Sequence, residues 1–360
     1  MNSFMTYFKR RFLSTWMITA VVTVVGLLIL TILCTRAYTE WKDGLPNRFI
    51  TSSFLYEISI FGIIVAILLP ISEFAPFNSK KNLDMMFSAP IGRTKLLMAH
   101  YLNGALTIAL SLTIIFVVWF FGWVLLPTTE LHVGYSLLAY PLMLLSVLIT
   151  YTFYSFAFLQ ANTVFDGCVY MVIYTYLVAL ITSPLARAFP IMDNDPIKPA
   201  NMFDLFSNRA YPYIIPIITS NVLELITEAL IDPPSIYPSS GSGSLVPTYY
   251  YREFYGISNL YLSLIITFVS ITIIAFIIMI TSFKRRTPIQ AEEISDSWFG
   301  YKVLIPICAV CCGLHFGNSS PFYILTPLAT LVGYVIYRRS LKIKIFDIAM
   351  VVLAAVLPHI

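Results

Sequence analysis

The side chains able to do chemistry are few and scattered. The four histidines stand at 100, 132, 315 and 359, and no H-E-x-x-H places two of them on one helix face. No G-x-x-x-x-G-K-[ST] is present to cradle a nucleotide's phosphates, and no G-x-S-x-G elbow exposes a nucleophilic serine. Cys308-x-x-Cys311 has redox spacing but lies inside an apolar run without a βαβ pattern, so small residues packed against a neighbouring helix explain it better. Asp193, Asp195 and Asp204 make only a loose acidic group. The expectation is therefore no catalytic residue, no metal site and no bound cofactor.

Polar residues inside apolar runs are the next candidates, because burying a charge at a bilayer centre costs about 2.5–3.5 kcal/mol on insertion scales. Glu57, in LYEISIFG, is the clearest acid of this kind, although it lies about one turn from the end of its run. Asn103 follows His100 near the start of a third run and suits a helix–helix hydrogen bond. Asp166, beside Gln160 and Asn162, reads as a residue at the mouth of a span.

One stretch carries more structure than a linker needs. In residues 77–95, FNSKKNLDMMFSAPIGRTK, Leu83, Met86 and Phe87 recur at i, i+3, i+4 and give one helical turn an apolar face. Lys80, Lys81 and Asp84 fall on its wet side. Ala89–Pro90 ends that helix, and Gly92 permits a bend before the next begins at Thr94. Such a loop is suited to docking on a partner.

The elements that position these residues follow from composition. The chain is 58% hydrophobic and 11% charged, with mean hydropathy +0.82, against about 25% charged in a soluble domain. Continuous rather than alternating apolar runs select helices over a membrane barrel. The fold class is thus an all-α integral membrane protein with about eight spans: 12–34, 53–72, 97–126, 135–159, 167–186, 259–282, 300–317 and 321–337. The first run, Phe12 to Cys34, reads as a span and not as a cleaved signal. Residues 345–358 are either a surface helix or a ninth span cut short.

With the N-terminus in the cytoplasm, 15 of the 22 Lys and Arg fall inside; the others are Arg36, Lys42, Arg48, Arg187, Lys198, Arg209 and Arg252. The positive-inside rule favours that orientation, and the net charge of +4 is a topology signal that calls for no nucleic acid. Trp119, Trp123 and Trp298 suit interfacial belts. Residues 1–11 read as an interfacial amphipathic helix with Phe4, Met5 and Phe8 on one side. Residues 12–282 form a six-span core with a cytoplasmic coupling loop at 73–96 and an extracellular insertion at 187–258. In that insertion Asn221 caps a helix over 222–231, Ser239–Ser244 is a flexible loop, and Tyr249–Tyr251, Phe254 and Tyr255 mark the headgroup level. Residues 283–360 form a C-terminal extension with two further spans.

Asp84-Met-Met-Phe-Ser-Ala-Pro-Ile-Gly-Arg-Thr-Lys95 resembles the loop between the second and third spans of ABC-2-type permeases, with Ala89 and Gly92 departing from the usual residues and Pro90 and Arg93 kept. Phe283-Lys-Arg-Arg-Thr-Pro-Ile-Gln-Ala291 is similar to a basic motif after the sixth span in permeases linked to peptide-antibiotic defence, where a Glu commonly stands in place of Gln290. The resemblance covers about three quarters of the chain.

It implies a permease subunit in a cell membrane, the bacterial cytoplasmic membrane, that pairs with a second copy or a sister permease. Separate cytoplasmic ABC ATPase subunits would hold ATP and Mg. Leu83, Asp84, Met86, Phe87, Pro90, Arg93 and Lys95 would couple to those ATPases, and a hydrophobic or amphipathic substrate (peptide, antibiotic or lipid-like) would cross. Two rivals stay open: an ion-coupled secondary transporter, which needs acids along a path, and a membrane-embedded transferase acting on lipid-linked substrates, which needs clustered acids.

Overall fold

A computed structural model describes residues 3–42, 50–88, 90–124, 133–175, 269–287, 289, 291–293, 299–316, 322–338, 340 and 344–356. The readings at 187–258, including Asp193, Asp195, Asp204, Asn221 and the tyrosine group, lie outside the described residues, as do Ala89, Gln290, Trp298 and the side chain of Trp123. Among the described residues the chain is all-helical. The helices are α1 (Ser3–Lys42), α2 (Ile50–Phe74), α3 (Lys80–Phe87), α4 (Arg93–Val124) and α5 (Val133–Leu159). They continue with α6 (164–175), α7 (269–285), α8 (Tyr301–Phe316), α9 (Phe322–Arg338) and α10 (Ile345–Val356). A 3-10 turn, Ala75–Asn78, joins α2 to α3.

The apolar parts of α1, α2, α4 and α5 are long and apolar enough to cross a membrane, the make-up of a membrane-associated protein. Residues 3–11 run without interruption into the first apolar run. α1 is one helix of 40 residues, about 60 Å long at 1.5 Å per residue. The run Lys9–Arg11 lowers local hydropathy but satisfies its backbone by the same i→i−4 bonds, so charge alone does not end a helix. α4 begins at Arg93, one residue before the expected start.

The chain divides into two compact units. The first comprises Met1–Glu73, Pro90–Tyr154 and Pro216–Ile277. Its core is built from Ile58, Ile63 and Leu69 of α2, Ile108, Leu112 and Ile115 of α4, and Met143, Val147 and Tyr151 of α5. α1 packs on α4 where Gly26 allows a close approach: a Cβ there would collide with Ile115. The opposite side of α1 leaves Leu13, Trp16, Met17, Val21, Leu28 and Ile32 more than half exposed, a face that water would not support. Trp119 is not at a boundary belt. It is 1% exposed and packs on Phe116 at 5.6 Å between ring centroids.

The second unit comprises Phe74–Ala89, Ser155–Ile215 and Ile278–Ile360. Thr163 caps α6 by accepting the Asp166 N–H at 3.1 Å. Asp166, near the start of α6, is buried, and its Oδ1 accepts the Tyr301 hydroxyl at 2.9 Å. The described parts of helices α8 and α9, 16 and 17 residues, each cover about 25 Å, against a hydrocarbon core of about 30 Å. α10, with 12 residues, is shorter still. It is pinned by Asp347, which takes a fork from Arg338 Nε at 2.7 Å and Nη2 at 2.8 Å and caps its own helix by accepting the Lys344 N–H at 2.9 Å.

Candidate functional site

Two polar constructions stand out against the apolar background, one in each unit. In the first unit, α1 carries Tyr7, Arg11, Thr15, Thr19 and Thr23, every fourth residue, and so along one face. α4 answers with His100, Asn103, Thr107 and Ser111. Asn103 Nδ2 donates to Thr15 Oγ1 at 2.9 Å, Thr19 and Thr107 share a hydrogen at 3.1 Å, and Thr23 donates to Ser111 at 3.0 Å. Every rung joins residues 88 apart, so the two helices run parallel in constant register. Above the last rung stands Gly26 against Ile115, and the polar line stops.

At the other end of this ladder lies a charge cluster on Glu73, which is 0% exposed. Its Oε1 accepts from Asn103 Nδ2 at 2.8 Å, and its Oε2 accepts from Arg11 Nη2 at 3.2 Å. His100, also fully buried, sets Nδ1 at 3.0 Å from the Glu73 carbonyl and 3.4 Å from Oε2, and Nε2 at 3.1 Å from the Tyr7 hydroxyl. This suits the Nδ1–H tautomer, with Nε2 accepting from Tyr7. A buried carboxylate requires a cation and several donors to offset its lost hydration, and Glu73 has them.

The sequence reading missed this cluster. Glu73 stood one residue past an assigned span end, and His100 was one of four scattered histidines. The available signal was the i+4 series on α1 facing His100-x-x-Asn103 on α4. Asn103 belongs to the cluster. Glu57, the acid singled out instead, lies half-buried on α2, roughly 24 Å along the axis from Glu73 at 1.5 Å per residue.

In the second unit the construction surrounds α3. Arg286, 6% exposed, donates to Leu159 O at 3.2 Å, Ala161 O at 2.9 Å and Asn78 Oδ1 at 2.8 Å. Burial makes its charge costly and pushes its pKa down to about 10, still cationic at neutral pH. Phe283 sets its ring edge-on to Phe77 at 4.9 Å and to Phe87 at 6.1 Å. Glu292 Oε1 accepts the Lys80 N–H at 3.1 Å.

Within α3 the expected docking side faces inward. Leu83 is 0% exposed, while Met86 and Phe87 are half-buried, so Leu83 is packed into the protein. The open side presents Lys81, Asp84 and Met85, the last 67% exposed. Pro90, Arg93 and Lys95 are exposed in the turn and first helical residues that follow. The free thiols Cys308, Cys311 and Cys312 are partly buried along α8, and among the described residues no group of His, Cys, Asp or Glu could hold a metal ion. Protein-family models, curated proteins and solved structures contain no match to this chain.

Proposed function

We propose that this chain is the permease subunit of an ABC-2-type ATP-binding cassette transporter in a cell membrane. It would cross the membrane with its N-terminus in the cytoplasm and move a hydrophobic or amphipathic substrate with ATP hydrolysed by separate subunits. The observation that carries this reading is α3: eight residues, with Leu83 buried and Met85 exposed beside Lys81 and Asp84. An exposed methionine beside opposite charges fits an apolar pocket with charged rims on a cytoplasmic ATPase. The ATPase would hold ATP and Mg; a second permease, copy or sister, would complete the pore.

A second reading is favoured by the Glu73 cluster. An ion-coupled transporter needs buried ionisable groups inside its helices, and Glu73 with His100 is such a pair. Against it, the polar ladder ends at Gly26, and Glu73 is already neutralised by Arg11. Purification in mild detergent followed by mass spectrometry separates the two. A stoichiometric P-loop ATPase, lost in Met85→Asp, supports the permease. A chain that purifies alone in every mild detergent overturns it and turns attention to ion-driven uptake and Glu73→Gln.

A further inference from the structure

We infer that the described residues of the stretch 283–293 act as a strap that positions α3, with Arg286 and Glu292 as its two positioning residues; the inference rests on the reading of α3 as the surface that meets an ATPase. α3 opens with Lys80-Lys81, the wrong sign for a helix N-terminus, where N–H groups carry partial positive charge. It has no acid in its first turn, and Ser79 provides no side-chain cap. The missing acceptor comes from 212 residues further along the chain, as Glu292 Oε1 on the Lys80 N–H. Glu293 Oε1 lies 4.0 Å from Lys80 Nζ.

Glu292 delivers this cap from a left-handed backbone, φ 66°, which costs a non-glycine residue conformational energy. Its own N–H is fixed on Asn162 O at 2.9 Å. A strained residue that caps a helix remote in sequence is held there by its surroundings. The other end of the strap works on different groups. Arg286 ties Asn78, just before α3, to the turn between α5 and α6, and Phe283 touches Phe87, the last residue of α3. Phe283, Arg286 and Glu292, within ten residues of one another, therefore hold both ends of α3. A push on Met85 cannot be absorbed by α3 sliding over its neighbours; it passes to the α5–α6 turn and to the end of α7.

Hydrogen exchange over residues 80–88 of the purified full chain tests this. Glu292→Gly relaxes the backbone but removes the acceptor and should speed exchange about tenfold. Glu292→Gln keeps an acceptor oxygen and should stay near wild type. Arg286→Lys, whose donors sit on a single nitrogen and cannot reproduce the planar guanidinium fork, should also exchange faster. Unchanged exchange in both Glu292→Gly and Arg286→Lys overturns the strap, whether or not an ATPase binds. In the complex with the co-purified ATPase, the same two variants should keep the partner bound and at least halve transport per ATP. Loss of binding instead would overturn positioning in favour of direct contact. If no ATPase co-purifies, the permease reading fails while the exchange result still decides the strap.

Discussion

Glu73 and Arg286 are both charged and both buried, and the protein satisfies them by opposite means. Glu73 meets formal charge and directed donors, with Arg11, His100 and Asn103 converging on one carboxylate. Arg286 meets dipoles, two backbone carbonyls and one amide oxygen. A carboxylate stripped of its cation leaves an uncompensated charge that cannot reach water. A guanidinium among carbonyls contributes direction more than Coulomb energy, because its planar fork fixes where three segments sit. Glu73 is thus a stability device for three helices, and Arg286 a geometry device for one short helix.

The largest effect should come from breaking the first. Arg11→Met leaves Glu73 buried without its guanidinium and should cost about 3–5 kcal/mol. Glu73→Gln keeps an acceptor for Asn103 and frees Arg11, already partly exposed, to turn to water, so it should cost about 1–3 kcal/mol. The double change Arg11→Met with Glu73→Leu should recover most of the loss, since no charge then remains buried. Thermal unfolding in detergent reads all three. If Arg11→Met is no worse than Glu73→Gln, the charge pairing described for Glu73 is wrong.

A smaller effect is expected where α4 meets α5. A Cβ on Gly104 would run into the hydroxyl and ring of Tyr151, which is fully buried, so Gly104→Ala should cost about 1–3 kcal/mol by overpacking. Gly92 has nothing within 4 Å of its added Cβ, and Gly92→Ala should leave the melting point unchanged. The ladder comes next. Thr107→Val should cost about 0.6 kcal/mol, the usual worth of one hydrogen bond between membrane helices. Together with Thr19→Val it should cost no more than Thr107→Val alone, because both remove the same rung.

How much of this was legible depended on the range of the interaction. The long apolar helices could be read directly, because few charged residues interrupt them. The polar ladder was equally local, an i+4 series on one helix and a matching series on another, but counting acids one by one drew attention to Glu57 and away from Thr15, Thr19 and Thr23. Trp119 reads as a belt residue because it is a tryptophan near the end of an apolar run, whereas it is buried against Phe116, which in turn stacks on Tyr140. The strap could not have been read. Its cap spans 212 residues, and it depends on Glu292 adopting a conformation that no glycine advertises.

A variant with little expected effect on stability is the most decisive for function. The sequence pattern on α3 names Leu83 as a contact with a partner, yet a residue 0% exposed touches its own chain first. Leu83→Asp would bury an unpaired carboxylate and unmoor α3, so loss of activity there would report folding and not docking. Met85→Asp acts on the open side of the same helix, where a new charge meets water and should change stability by less than about 0.5 kcal/mol. If Met85 is the residue an ATPase grips, that variant should melt like wild type and fail to retain the ATPase, because a carboxylate in an apolar pocket has no counter-charge. A Met85→Asp chain that keeps a stoichiometric ATPase would leave α3 as a packed surface turn and remove the observation on which the permease reading stands.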